Sequence, residues 1–341
     1  MRFGLFGNAT AARVGPDVDS SYGYRDFVEY NIEAEALGYH STFVVEHHFT
    51  GYGQVSASMN MLTWLGAKTS TIRLGTAVLV LPWHNPVLIA EQAATIDLLS
   101  GGRLDFGVGK GYRHNEFVGF CIPMEEAGDR FNESVDVILK AWTSADRFSH
   151  EGKYWRFEDI VVEPPTAQQP HPPLWMGAGS PESIAQVAER GFNLLLDQFA
   201  TIEVIGERVA FFKAECEKRG RTFDPMQVAV ARALNVSNSK EEKDAALEKR
   251  RVAQQRLTKI SQRPDGNNKA SILNFADTRE ASEESALYGT PDEIAAKLER
   301  LQRLGVEYVL VTTGGNRDTL RRFAADLMPH FDAAPAMRAA E

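Results

Sequence analysis

Cysteine is almost absent: Cys121 and Cys216 are the two in 341 residues. That is too few for a disulfide scaffold or a thiolate zinc site. Basic residues are outnumbered, 37 Lys and Arg against 46 Asp and Glu, so the net charge is -9 and the pI is near 5.5. This balance speaks against nucleic acid or an anionic membrane surface as the main partner, while a few local cations still suffice for a small anionic ligand. No apolar run reaches the roughly 18 residues that a membrane span requires. The opening MRFGLFGN lacks the basic-then-apolar layout of a signal peptide, and a soluble, cytoplasmic protein is expected. No HExxH and no His-x-His pair on a strand is present, which argues against metal catalysis, and no metal is expected. Repeats and low-complexity tracts are missing as well.

What is present is a 43% hydrophobic chain long enough to bury a substantial core. Apolar, β-branched runs at 2–6, 41–45, 72–80, 103–108, 173–177, 192–196, 227–235 and 306–312 have strand length. Their near-continuous hydrophobicity suits parallel strands covered on both faces. Amphipathic segments at 24–37, 56–69, 86–99, 129–143, 181–190, 202–219, 241–259, 291–304 and 318–331 separate them. Ser180-Pro181 and Thr290-Pro291 each place a hydroxyl cap before a proline at the first helical position. Thr290 and Glu293 have capping-box spacing. Gly38, Gly191 and Gly305 end helices and lead into strands.

Eight βα units predict a (β/α)8 TIM barrel, which typically occupies about 250 residues. The competing doubly wound sheet is disfavoured by the count of eight and by the lack of a GxGxxG after the first strand. About 90 residues remain as insertions. A small hairpin is expected over 147–170, before strand 5, and a lid over 261–289, before the last βα unit. A single domain over 1–334 is expected, followed by a tail at 335–341.

In such a barrel the chemistry lies at the C-terminal strand ends. Those ends carry Glu46-His47-His48-Phe49, Pro82-Trp83-His84, Gly109-Lys110-Gly111-Tyr112-Arg113, Gly177-Ala178-Gly179-Ser180, Asp197-Gln198 and Thr313-Gly314-Gly315-Asn316. Glu46, His47 and His48 cannot all face inward on a strand, which weakens a metal-ligand reading. Gly179, Ser180 and Ser183 run straight into a helix N-terminus, a favourable place for an anion, with Lys110 and Arg113 at the mouth of the adjacent strand and Arg130 at the start of the next helix. Ser180 as no more than a helix cap explains this segment equally well. Thr313-Gly314-Gly315-Asn316 is a rival phosphate loop, and spacing alone does not choose between them. Trp83 and His84 suit either a substrate pocket or the barrel rim. Tyr112 would stack on a ligand or pack under the lid, and Asp197 would bond a ligand or cap the next helix at Thr201. Cys121 is expected buried, Met59, Met61, Leu62 and Leu65 as packing residues with a dimer contact in view, and the Lys/Glu run at 240–251 as a solvated face.

EHHFTGYG at 46–53, GTAVLVLPWHNP at 75–86, LSGGRLDFGVGKG at 99–111, AGSPES at 178–183 and YGTPDE at 288–293 resemble, in that order, motifs of the bacterial luciferase family of flavin-dependent monooxygenases. The resemblance implies a barrel that binds reduced FMN from a separate flavin reductase and forms a flavin hydroperoxide with O2. That species then oxygenates an aldehyde, ketone or other small organic substrate. His47 matches the family's active-site histidine, suited by its near-neutral titration to acid or base work. Ala77 and Val78 match a non-proline cis peptide behind the flavin ring. The family's phosphate contacts map onto Lys110, the Tyr112 backbone, Arg130, Ser180 and Ser183, with Gly179 in the same loop, which decides for that loop over its rival. The segment 261–289 matches the lid, and a homodimer is implied.

Two positions depart from luciferase itself. Gly109 stands where it has a reactive cysteine, and Gly179 where it has a glutamate. Both are smaller and imply more room or a different tilt near the flavin, so neither light emission nor luciferase's aldehyde specificity follows. A deazaflavin-dependent oxidoreductase on the same barrel and a non-catalytic flavin-binding protein are the alternatives. A retained His47 and a lid favour the monooxygenase.

Overall fold

The computed structural model describes residues 1–11, 19–261, 263, 266 and 270–331. Eight parallel strands form its centre: β1 (Arg2–Gly7), β2 (Ser41–Val44), β3 (Arg73–Thr76), β4 (Leu104–Gly109), β5 (Leu174–Gly177), β6 (Asn193–Leu196), β7 (Val228–Val236) and β8 (Tyr308–Thr312). Each pairs with the next, as in Leu5 with Thr42, Val44 with Thr76 and Met176 with Leu194. β8 returns to β1 through Phe3 opposite Val309, closing a (β/α)8 barrel. Around it lie α1 (Tyr22–Ala36), α2 (Ser58–Lys68), α3 (Pro86–Leu99), α4 (Ala127–Thr143), α5 (Pro181–Arg190), α6 (Ile202–Lys218), α7 (Lys240–Ser261), α8 (Pro291–Arg303) and α9 (Arg317–Asp326).

The near-continuous hydrophobicity of the strands reflects two cores. Alternate side chains point to opposite faces of a strand. Phe43, Trp175, Leu195, Ala229, Tyr308 and Leu310 therefore fill the barrel, and their neighbours pack against the helices. Polar groups inside are paired, as burial demands. Tyr308 donates to Ser41, Trp175 Nε1 donates to Asp105 at 3.2 Å, and Arg73 grips the same carboxylate through two bonds of 2.7 and 3.0 Å. Ser180 and Thr290 both close capping boxes at their helix starts.

Several expectations need correction. The run 72–80 is not one strand: β3 ends at Thr76, the Ala77-Val78 peptide is cis, and Leu79–Val80 rejoins the sheet by pairing with β4. The segment 318–331 breaks at Leu327 into α9 and a turn at Met328–Phe331. Cys121 is exposed and sits at φ 56° on a tight turn, whereas Cys216 is buried. Met59, Met61, Leu62 and Leu65, by contrast, are the buried packing residues expected. The 240–251 face is mostly solvated, but Leu247 and Arg250 turn inward.

The insertion at 147–170 is the expected hairpin, Phe148–Glu151 against Arg156–Ile160. The described part of 261–289 holds turns at Ser271–Leu273 and Arg279–Glu284. It ends in a short strand, Leu287–Gly289, that pairs with the far end of β7. The tail at 335–341 lies outside the described residues. No helix among the described residues is long and apolar enough to cross a membrane.

Candidate active site

The C-terminal ends of all eight strands surround a cavity of about 470 Å3. His47, Ala77, Val78, Lys110, Tyr112, Gly179, Ser180 and Ser183 all line it. Arg130 does not: it pairs with Glu126 at 2.8 Å and lies 4.4 Å over the Tyr154 ring. Among the described residues no cluster of His, Cys, Asp or Glu could hold a metal ion.

The β2 end turns each of its three polar side chains to a different task. His47 Nδ1 lies 3.2 Å from Glu116 Oε1, which also accepts the His48 backbone N–H at 2.8 Å. A carboxylate only accepts, so Nδ1 carries the proton and Nε2 is left with a lone pair. Burial holds the His47 pKa below its ordinary value, with Glu116 opposing the shift, so the imidazole is neutral near pH 7. Glu46, 2% exposed, accepts from His48 Nε2 at 3.0 Å, His84 Nε2 at 2.7 Å and the Val80 N–H at 2.7 Å. Burial alone would raise its pKa, but these bonds prevail and hold the carboxyl below its usual range. Glu46 thereby ties the β2 end to the chain two residues beyond Val78.

Val78 itself forms a shelf across β4 and β5. A β-carbon at Gly109 would come 2.5 Å from Val78 Cγ2, and one at Gly177 would come 3.4 Å from Cγ1. The room expected at Gly109 is thus taken by Val78. At the other side of the mouth, Ser180 Oγ accepts from Ser183 N at 3.3 Å, and Ser183 Oγ from Ser180 N at 3.1 Å and Gly179 N at 3.3 Å. The serines do cap α5, and the same arrangement leaves a positive helix end in the cavity wall. Exposed Lys110 faces this mouth without a hydrogen bond or ion pair among the described residues. A β-carbon at Gly179 would come 2.6 Å from Ser271 Oγ, so glycine lets the 270–272 segment close over the loop.

The remaining candidates have structural roles. Thr313 bonds Tyr30 of α1 at 2.7 Å and Asn316 caps α9, so the rival loop is occupied with the helices beside it. Asp197 binds the backbone of Phe199 and Ala200 and the Arg208 guanidinium at 2.7 Å. Trp83 packs at the rim against His48, Phe117 and Phe120. Glu116 escaped the sequence reasoning. It stands in a six-residue helix, His114–Gly119, beyond the β4 motif, and its one signal is a carboxylate just before the apolar pair Phe117-Val118.

A family profile described as luciferase-like monooxygenase matches residues 1–308. The chain belongs to that family. Over 356 aligned residues it is 26% identical to the oxygenase component of flavin-dependent trigonelline monooxygenase from Acinetobacter baylyi, covering 99% of this chain and 98% of that protein. Over 326 residues it is 26% identical to F420-dependent glucose-6-phosphate dehydrogenase from Amycolatopsis mediterranei, covering 92% and 96%. The crystal structure of monooxygenase RslO1 from Streptomyces bottropensis superposes with a TM-score of 0.83 at 24% identity, covering 97% of this chain and all of the other, and shows the same fold. Family membership makes this chain an oxidoreductase of the luciferase-like monooxygenases. The neighbouring shelf, helix start and unpaired lysine suit a flat ring system carrying a phosphate.

Proposed function

We propose that this protein is the oxygenase component of a two-component monooxygenase, taking reduced FMN from a separate reductase, and O2, to oxygenate a small organic substrate. The observation that carries the proposal is the convergence of His47, the Val78 shelf and the α5 N-terminus on one cavity. The shelf would support the isoalloxazine, and Lys110, Ser180, Ser183 and the Gly179 and Tyr112 backbones would hold the phosphate. Reduced FMN held by these residues would supply the electrons for oxygen activation. His47 Nε2 offers a lone pair that takes a proton from, or returns it to, an oxygen of the reacting substrate. The segment at 270–272, which lines the cavity, limits water at the mouth. Arg130 is excluded from the proposed phosphate set by its place outside the cavity wall.

The test is stopped-flow absorbance after mixing anaerobic protein–reduced FMN with oxygenated buffer. A transient that outlives that of free flavin and decays faster with substrate is expected. Oxidation at the rate of free flavin overturns the oxygenase assignment. The similarity to an F420-dependent dehydrogenase supports a second reading, hydride transfer with a deazaflavin and no O2. Tighter binding of F420 than of FMN in equilibrium titrations would select it.

A further inference from the structure

We infer that the cavity selects an organic carboxylate and that Arg113 is the side chain that recognises it. The inference rests on the oxygenase reading, whose substrate it narrows. Arg113 begins the short helix after β4, lines the cavity and is 2% exposed. Its Nε and Nη1 are buried without a hydrogen-bond partner. The carboxylate beside it, Glu116, lies 3.9 Å from Nη1, beyond hydrogen-bond reach. The same Glu116 oxygen is already shared by His48 N at 2.8 Å and His47 Nδ1 at 3.2 Å.

Part-buried guanidiniums elsewhere in the barrel show what a satisfied one looks like. Arg73 grips Asp105, Arg208 pairs with Asp197, and Arg103 donates to the carbonyls of Gly66, Thr69, Ile72 and Ser100. Arg232 and Arg250 also keep unpartnered nitrogens, but neither lines the cavity. A guanidinium does not shed its proton, so burying one with free donors is costly unless an anion completes it. A carboxylate matches that need in charge and in having two acceptor oxygens. Glu116 is 3.9 Å from Arg113 and 3.2 Å from His47, so an acid held by this guanidinium shares one part of the cavity with the imidazole. The Tyr112 ring, 5.6 Å from the guanidinium and 6.4 Å from the His47 ring, walls the same corner. The phosphate is assigned to the α5 end with Lys110 and the Tyr112 backbone, one residue before Arg113, so the flavin affinity of an Arg113 variant separates the two roles.

The experiment is isothermal titration calorimetry of benzoate against benzamide, and of hexanoate against hexanamide, with the full chain, both FMN-loaded and flavin-free. At least one acid should bind about tenfold or more tightly than its amide. Arg113→Gln should weaken the acid about 10- to 100-fold, and Arg113→Lys should keep part of the affinity. FMN affinity should stay within about threefold in both variants, and their circular dichroism should match wild type. Equal binding of acids and amides, no binding of either acid, or an Arg113→Gln protein that binds acid normally overturns the inference. So does a variant that loses FMN but keeps the acid, because the guanidinium then serves the flavin. A protein that discriminates acid from amide through Arg113 yet binds no FMN would sink the oxygenase reading and leave the carboxylate site standing.

Discussion

His47 and its two flanking carboxylates carry the predictions that belong to single residues. With Glu116 holding Nδ1, the working atom is Nε2 of a neutral ring. His47→Ala should lower turnover about 100- to 10,000-fold, the range for a general acid or base, while FMN affinity changes little; steady-state kinetics and flavin titration check both. Because burial depresses the His47 pKa, the acid limb of kcat should lie below 6.5. Glu116 raises that pKa, so Glu116→Gln should move the limb to still lower pH as well as reduce kcat. A purely structural Glu116 would leave the limb where it was. Glu46 acts on stability. Its lowered pKa gives stabilisation that is complete above the unfolded value of about 4.5 and is lost as pH falls through the folded value. Glu46→Gln should cost about 2 kcal/mol or more in urea unfolding at pH 7 and flatten the acid side of the stability profile. An unchanged midpoint would show that the histidines do not depend on it.

Between elements, close approach decides what substitutions the barrel tolerates. Gly107 lies against the Thr76 carbonyl oxygen, with no space for a β-carbon, and Gly109 lies against Val78. Gly109→Cys, which restores the luciferase residue, should displace the shelf, destabilise by about 1–3 kcal/mol and weaken FMN binding. A variant with wild-type melting and affinity would show that Val78 yields freely. Above the mouth, Phe199 and Phe275 stack at 5.0 Å and tie the 270–276 stretch to the β6 end. Phe275→Ala should release more hydrogen peroxide per reduced FMN consumed, measured by a peroxidase assay, because the covering segment loses its anchor. The break after β3 belongs to this scale too. Apolar residues continue through 72–80, so periodicity reads one strand, whereas the chain leaves the sheet at Ala77 and rejoins it through Leu79.

Over the whole molecule, the large apolar side chains left exposed among the described residues include a group on two helices that pack against each other, α2 and α3. Trp64 on α2 and Leu88, Leu98 and Leu99 on α3 are exposed, Leu99 by 72%. We propose that this face forms the homodimer, in place of the buried methionines of α2. Sedimentation should give twice 37.8 kDa, and Trp64→Ser with Leu99→Asp should give a folded monomer. A wild-type monomer at micromolar concentration would remove the proposal.

The order of strands and helices, the barrel count, the hairpin insertion and both capping boxes were legible in the sequence, because local periodicity and cap chemistry are short-range properties of the chain. So was the placement at the barrel mouth of the loop that meets α5 and of His47, since these stand at strand ends in recognisable motifs. What the sequence left undecided depends on atoms far apart in the chain. Glu116 is 69 residues from His47 and Val80 is 34 from Glu46, and no spacing rule links them. Arg130 follows the β4 motif in sequence, yet α4 carries it away from the mouth to Tyr154. Whether Cys121 is buried, and whether Gly109 leaves room, were likewise set by which side chain another segment places there. Sequence alone determined the strands of the barrel and its long helices, apart from the breaks after Thr76 and at Leu327, because hydrogen bonding and side-chain periodicity act within each segment. Tertiary structure decided which charges meet, because that follows from closing eight strands into one ring.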